Sequence, residues 1–271
     1  MLAAEAPRWI VVLGAVAAGF GSGVLSALLG IGGAVITTPV VRLLGGSPIE
    51  AVGSTVPAIV PGAISGAIRY AREGMVEWRL ALTLGFTGSG FAVLGAWTSD
   101  VVEGRLLMVM TAGVMLWAGL SVVLKLRSDR GGRAPADEPA TRSSADVALP
   151  FLAVAGAVAG FVAGLLGVGG GIVLVPVLTS LLHVPMRRAV ASSLVAVAIF
   201  QVPALITHMW LGHVNWAIAL PLMVGVIPGA QVGAHLTVAA TDRTIRILFG
   251  VLIVVLAIIY GATELRGLVS G

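Results

Sequence analysis

The chain contains no cysteine, which excludes disulfides, thiolate metal sites and cysteine nucleophiles. Charge is almost as scarce. Asp, Glu, Lys and Arg make up 10% of its 271 residues, where a soluble domain carries about 25%. The carboxylates that exist stand outside the apolar runs: Glu50, Glu73, Glu77, Asp100, Glu103, Asp242 and Glu264 all fall at ends or turns. A cation carrier normally holds a carboxylate at its site, and proton-coupled pumps usually carry one too. The missing acids therefore point to an anionic or neutral solute. His208 and His235 are the titratable groups left inside the runs, and both are expected to serve structure.

What fills the chain instead is apolar. With 58% hydrophobic residues and a mean hydropathy of +1.06, it reads as an all-α integral membrane protein. Apolar segments fall at 9–29, 33–44, 51–70, 80–98 and 106–126, and again at 149–166, 171–182, 189–210, 216–237 and 245–263. Residues 127–147 between them are rich in charge, Pro, Ser and Gly and read as a linker. The expected organisation is a first membrane repeat at 1–126, the linker at 127–147 and a second repeat at 148–271. An isoelectric point near 10.6 is no nucleic-acid signal here, because excess Lys and Arg in so apolar a chain mark cytoplasmic loops. The first apolar run resembles a signal peptide. However, its Gly14-Ala15-Val16-Ala17 recurs in mid-chain as Gly156-Ala157-Val158-Ala159, so it is read as a membrane segment.

The two halves match in detail. Gly30 aligns with Gly167, Pro39 with Pro176 and Pro48 with Pro185. After a one-residue insertion, Ser54-Thr55 aligns with Ser192-Ser193, and Gly74-Met75-Val76-Glu77-Trp78 with Gly212-His213-Val214-Asn215-Trp216. Duplication accounts for this correspondence. With the linker in the cytoplasm and each glycine-broken pair of segments returning to its own side, every Lys and Arg lies inside except Arg8, Arg42, Arg105 and Arg266, as the positive-inside rule requires. Each half then crosses an odd number of times. The expectation is two inverted-topology repeats, each a glycine-broken helical hairpin plus three transmembrane helices, an architecture of alternating-access carriers.

The candidate site lies at the breaks, Gly30-Ile31-Gly32-Gly33 and Gly167-Val168-Gly169-Gly170-Gly171. Non-helical backbone at membrane depth persists only where it is packed in protein or lines a cavity. Helices starting just after the breaks would aim unpaired N–H groups and a favourable dipole at an anion. Gly32, Gly33, Gly169, Gly170 and Gly171 are accordingly expected to bind substrate. The alternative is plain close packing by small residues, the reading preferred for Gly160 and Gly164. Ser54, Thr55, Ser192 and Ser193 are hydroxyl candidates for the ligand, against ordinary bonding to their own helix. Gln201 shares a helix face with His208 and is a further candidate donor, the competing role for both being a bond between helices. Ser65, Thr37 and Thr38 are weaker candidates. No catalytic residue, metal site or cofactor is expected.

The 160–171 run GFVAGLLGVGGG, the paired Ala-x-x-Ser-Ser/Thr helix starts and the duplicated Gly-x-Val-x-Trp turns together resemble the sulfite exporter TauE/SafE family. The resemblance spans nearly the whole chain apart from linker and termini. It implies a secondary transporter that exports sulfite, an organosulfonate or a similar small sulfur-containing anion across the bacterial inner membrane. The residues by themselves say only small anion. Ala34 stands where the second half has its third glycine, Gly171, which shifts the expected weight to Gly169, Gly170 and Gly171. Two other readings remain: an uptake permease for a related oxyanion, and an intramembrane hydrolase using Ser89 with His235. The partners implied are the anion and membrane lipid, without nucleic acid, and a homo-oligomer is compatible with the sequence.

Overall fold

A computed structural model describes residues 8–131 and 148–269, and no strand occurs among them. The helices are α1 (Arg8–Leu29), α2 (Ala34–Leu43), α3 (Pro48–Arg72), α4 (Trp78–Val101), α5 (Gly104–Gly131), α6 (Leu149–Leu166), α7 (Gly171–Pro176), α8 (Met186–Trp210), α9 (Trp216–Ala239) and α10 (Asp242–Val269). Seven of the described helices are long and apolar enough to cross a membrane: all but α2, α7 and α10. The chain is thus an all-helical multi-pass membrane protein.

Local chemistry sets the boundaries. Gly167 leaves α6 at φ 63° and Gly170 enters α7 at φ 61°, both in the left-handed region that glycine occupies without a Cβ penalty. The chain after Pro176 relaxes into a π-helical turn, Val177–Leu181. At the start of α3, Ser47 accepts from the Glu50 N–H while the Glu50 carboxylate accepts from the Ser47 N–H. This capping box satisfies two otherwise orphaned donors. It also carries the helix back to Pro48, ahead of the apolar onset at 51. Helix α5 runs on to Gly131, past the boundary expected at 126, and the rest of the expected linker, 132–147, lies outside the described residues.

Helices α3 and α8 form the centre. The most apolar windows of α3 and α8 are 83% and 67% buried, against 33–50% for the other candidate spans. Around them the halves exchange partners: α1 packs on α9 and α6 on α4, α3 packs on both α8 and α9, α8 also packs on α4, and α5 pairs with α10. Because α1 corresponds to α6 and α4 to α9, each pairing has a counterpart under exchange of the halves. Glycines permit the approach. The α4–α6 seam brings Gly88, Gly95, Gly160 and Gly164 onto facing main chain, where an added Cβ would collide. Gly160 and Gly164 are therefore packing glycines, as small residues are in membrane interfaces generally. The outer faces carry Phe86, Trp97, Ile206, Trp210 and Val224, all exposed, as a lipid-facing surface should.

Candidate functional site

The two glycine breaks meet back to back. A Cβ placed on Gly32 would lie 2.9 Å from the Gly169 Cα, and one placed on Gly169 would lie 2.9 Å from the Gly32 Cα. A Cβ on Gly171 would collide with the Gly30 carbonyl oxygen. Residues 28–35 and 166–176 are buried throughout. The tips are in main-chain contact, with no room between them for a side chain, and in this conformation they are closed on each other.

The hydroxyls named from the sequence form a reciprocal set of latches across that junction. Thr55 Oγ1 donates to the carbonyl of Gly167 at 3.2 Å, and its counterpart Ser193 donates to the carbonyl of Gly30 at 3.2 Å. Each also donates within its own helix, to Val52 and Val190 respectively. One residue earlier, Ser54 Oγ accepts from the N–H of Asn215 at 2.8 Å, and Ser192 Oγ accepts from the N–H of Glu77 at 2.9 Å. Each half thus holds the break and an interhelical turn of the other half. Buried side-chain bonds to main-chain groups of this kind are worth about 1 kcal/mol each in membrane interiors. A third matched pair stays within each half: Tyr70 Oη of α3 donates to the carbonyl of Ala27 in α1 at 2.6 Å, and His208 Nε2 of α8 lies 2.9 Å from the carbonyl of Gly164 in α6. His208 therefore bonds between helices, as one of its two expected roles required.

Gln201 differs from all of these. It is fully buried in α8, and both its amide nitrogen and its amide oxygen lack a hydrogen-bond partner. Leaving such groups unpaired costs about 1–3 kcal/mol apiece. The preceding residue, Phe200, presses its ring tip on the second break, 2.6 Å from where a Gly170 Cβ would stand.

The breaks are not chemically equal. Around Gly33 the structure gathers Ser22, whose hydroxyl donates to the Gly33 carbonyl at 2.6 Å, together with Ser26 and Thr37. Thr38, also on α2, is buried with its hydroxyl unpartnered. The corresponding second-half residues Ala159, Ala163, Leu174 and Val175 are apolar. Ser22 and Ser26 went unread in the sequence. Their i, i+4 spacing immediately before the break was the available signal. Ser65 donates to the Ile227 carbonyl and accepts from Gln231. The hydrolase pair is not assembled: Ser89 donates to its own-helix Gly85 carbonyl, and His235 faces Arg69.

The profile of the family described as Sulfite exporter TauE/SafE matches residues 15–260, which span every element of both breaks and the helices that latch them. The chain belongs to the sulfite exporter TauE/SafE family. Among curated proteins it is 28% identical to the probable membrane transporter protein YunE of Bacillus subtilis, covering 91% of this chain and 94% of that one. It is 30% identical to a probable membrane transporter protein of Xylella fastidiosa, covering 85% and 87%. It is 25% identical to the probable membrane transporter protein YfcA of Escherichia coli, covering 79% and 77%. No solved structure matches.

Proposed function

We propose that this TauE/SafE protein is a secondary carrier that exports a small sulfur-containing anion, sulfite or a sulfonate, across the bacterial inner membrane by alternating access between two inverted repeats, with 127–147 in the cytoplasm. The observation that carries the reading is Gln201, a wholly buried amide whose two polar atoms have no partner. A carrier that keeps such a group buried, one residue along α8 from the Phe200 that meets the second break, gains when a ligand pairs with it, and its NH₂ supplies two donors suited to an oxyanion. The helix starts at Ala34 and Gly171 add a dipole of the right sign.

In this reading the closed tips are the occluded arrangement, and transport requires Gly32 and Gly169 to part. The hydroxyl latches then act as release points: Thr55, Ser193, Ser54 and Ser192 exchange main-chain partners for the anion as the breaks separate. For an anion leaving a cell that is negative inside, the membrane potential supplies about 2.3 kcal/mol per charge per 100 mV. The test is flux through purified protein in proteoliposomes, with sulfite, sulfoacetate, sulfate and a cation control, and the gradient imposed each way. Saturable sulfite or sulfonate flux that collapses in Gln201→Leu is expected. Cation flux, or anion flux indifferent to Gln201, would overturn the reading, and flux driven only inward would make the protein an uptake permease.

A further inference from the structure

Beside the junction of α8 and α9 runs a chain of hydrogen-bonding groups that the carrier reading does not use. His208 Nε2 lies 2.9 Å from the Gly164 carbonyl, His208 Nδ1 lies 3.0 Å from His213 Nδ1, and His213 Nε2 lies 2.9 Å from Asp100 Oδ1. Both imidazoles are enclosed, His208 completely and His213 to within 5%. The Asp100 side chain is half exposed. It opens on a cavity of about 410 Å³ lined also by Pro48, Ile49, Ser99, Arg105 and Leu211.

The order of donors along this chain fixes its proton count. A carbonyl only accepts, so a neutral His208 carries its proton on Nε2 and presents Nδ1 as a lone pair. His213 must then donate from Nδ1. Its Nε2 faces a carboxylate, which when ionised can only accept. All three bonds hold together only if one further proton sits between His213 and Asp100, either on the imidazole as an ion pair or on the carboxyl. Remove it, and one link must break, because a neutral His213 cannot donate in both directions.

We propose that His213 and Asp100, with His208 behind them, form a proton-binding site whose occupancy latches the second glycine break. Gly164 stands three residues before Gly167 on α6, so the inner end of the chain grips the helix that ends in the break. The outer end takes its proton from water at the Asp100 face and releases it to the same side. The turn bearing His213 is itself pinned, since a Cβ on Gly53 would come within 2.5 Å of the His213 Cβ and carbonyl oxygen, and Asn215 is held by Ser54. The charged groups around the site are Asp100 from α4 and Arg105 from the start of α5, which line the cavity, and Glu50 from α3, which approaches Asn215 in the turn that bears His213. Glu50 is engaged with Ser47, while α6 offers only the Gly164 carbonyl. The sequence placed Asp100 at a helix end, clear of the apolar runs, and from one residue it cannot be seen that two histidines extend its reach inward.

The consequence for transport rests on the carrier reading, whereas proton binding itself does not, so the test has two arms. The chain has four histidines, so ¹³C/¹⁵N-histidine NMR of the full-length protein in nanodiscs resolves each one. The expected result is a His208 locked as the Nε2–H tautomer, and a His213 whose proton affinity falls at least tenfold in Asp100→Asn. A His213 that titrates identically in wild type and Asp100→Asn overturns the site. In the second arm a single cysteine, Val168→Cys in this cysteine-free chain, is labelled with a maleimide across the pH range, normalised to the reagent's own pH dependence. Labelling is expected to rise at least tenfold as His213 loses its proton, and to lose that pH dependence in Asp100→Asn and His213→Gln. Labelling that ignores His213 titration overturns the latch. Absence of anion flux with both arms intact refutes the carrier reading alone.

Discussion

Replacing Gly171 by alanine tests the contact of the two breaks without touching any hydrogen bond. Gly171 has ordinary helical φ, so alanine is conformationally acceptable and the effect is one of space. The added carbon would overlap the Gly30 carbonyl oxygen, with the Gly30 carbonyl carbon at 3.0 Å and the Ile31 Cα at 3.2 Å. These are all backbone atoms and cannot rotate aside. With only backbone to give way, the cost falls in the upper part of the usual overpacking range, about 2–3 kcal/mol. Alanine returns up to about 1 kcal/mol in helix propensity, which leaves a net loss of roughly 1–2 kcal/mol. For a chain of this size that is a fall of roughly 2–8 °C in Tm, measured by thermal unfolding of the purified protein in detergent. The control is Gly21→Ala in α1, where nothing lies within 4 Å and only the propensity gain applies. Its Tm should match or exceed wild type. A Gly171→Ala protein that melts at or above wild type, or a Gly21→Ala protein that falls as far, would refute the packed junction.

Gln201→Leu should raise stability by about 1 kcal/mol or more, because it removes two unpaired buried polar atoms, while abolishing anion flux. A destabilised variant with normal flux would contradict both halves of that statement. Ser54→Ala and Ser192→Ala each strip an acceptor from one main-chain N–H, Asn215 and Glu77 respectively. Matching losses of about 1 kcal/mol are expected in equilibrium unfolding, and a large loss in one alone would break the reciprocity. Tyr70→Phe removes the bond to the Ala27 carbonyl and should cost about 1 kcal/mol in the same assay, with no change there meaning the bond is not formed.

The correspondence of the two halves was legible because glycine and proline punctuate it: Gly30 and Gly167, Pro39 and Pro176, and the Gly74 and Gly212 turns recur at offsets that differ by a single residue. The spans were legible from hydropathy, since lipid imposes length and polarity at once. The partners of the hydroxyls were not. Thr55 and Ser193 bond carbonyls of the opposite half, and a main-chain acceptor leaves no mark on the residue type that bears it. The sequence weighted the second break for its third glycine. It could not show that Phe200 crowds that break while Ser22 and Ser26 flank the first, because this asymmetry arises between helices distant in the chain. The start of α3 was set too late for a related reason: Ser47, Pro48 and Glu50 are poor in hydropathy yet ideal in capping.

The carrier itself is tested most directly by current. Purified protein on a solid-supported membrane should answer a sulfite concentration jump with a saturable current in the direction of negative charge moving with its gradient, and Gln201→Leu should abolish it. A silent wild-type protein in an electrically tight membrane, or a current carried equally by a cation control, would contradict the account.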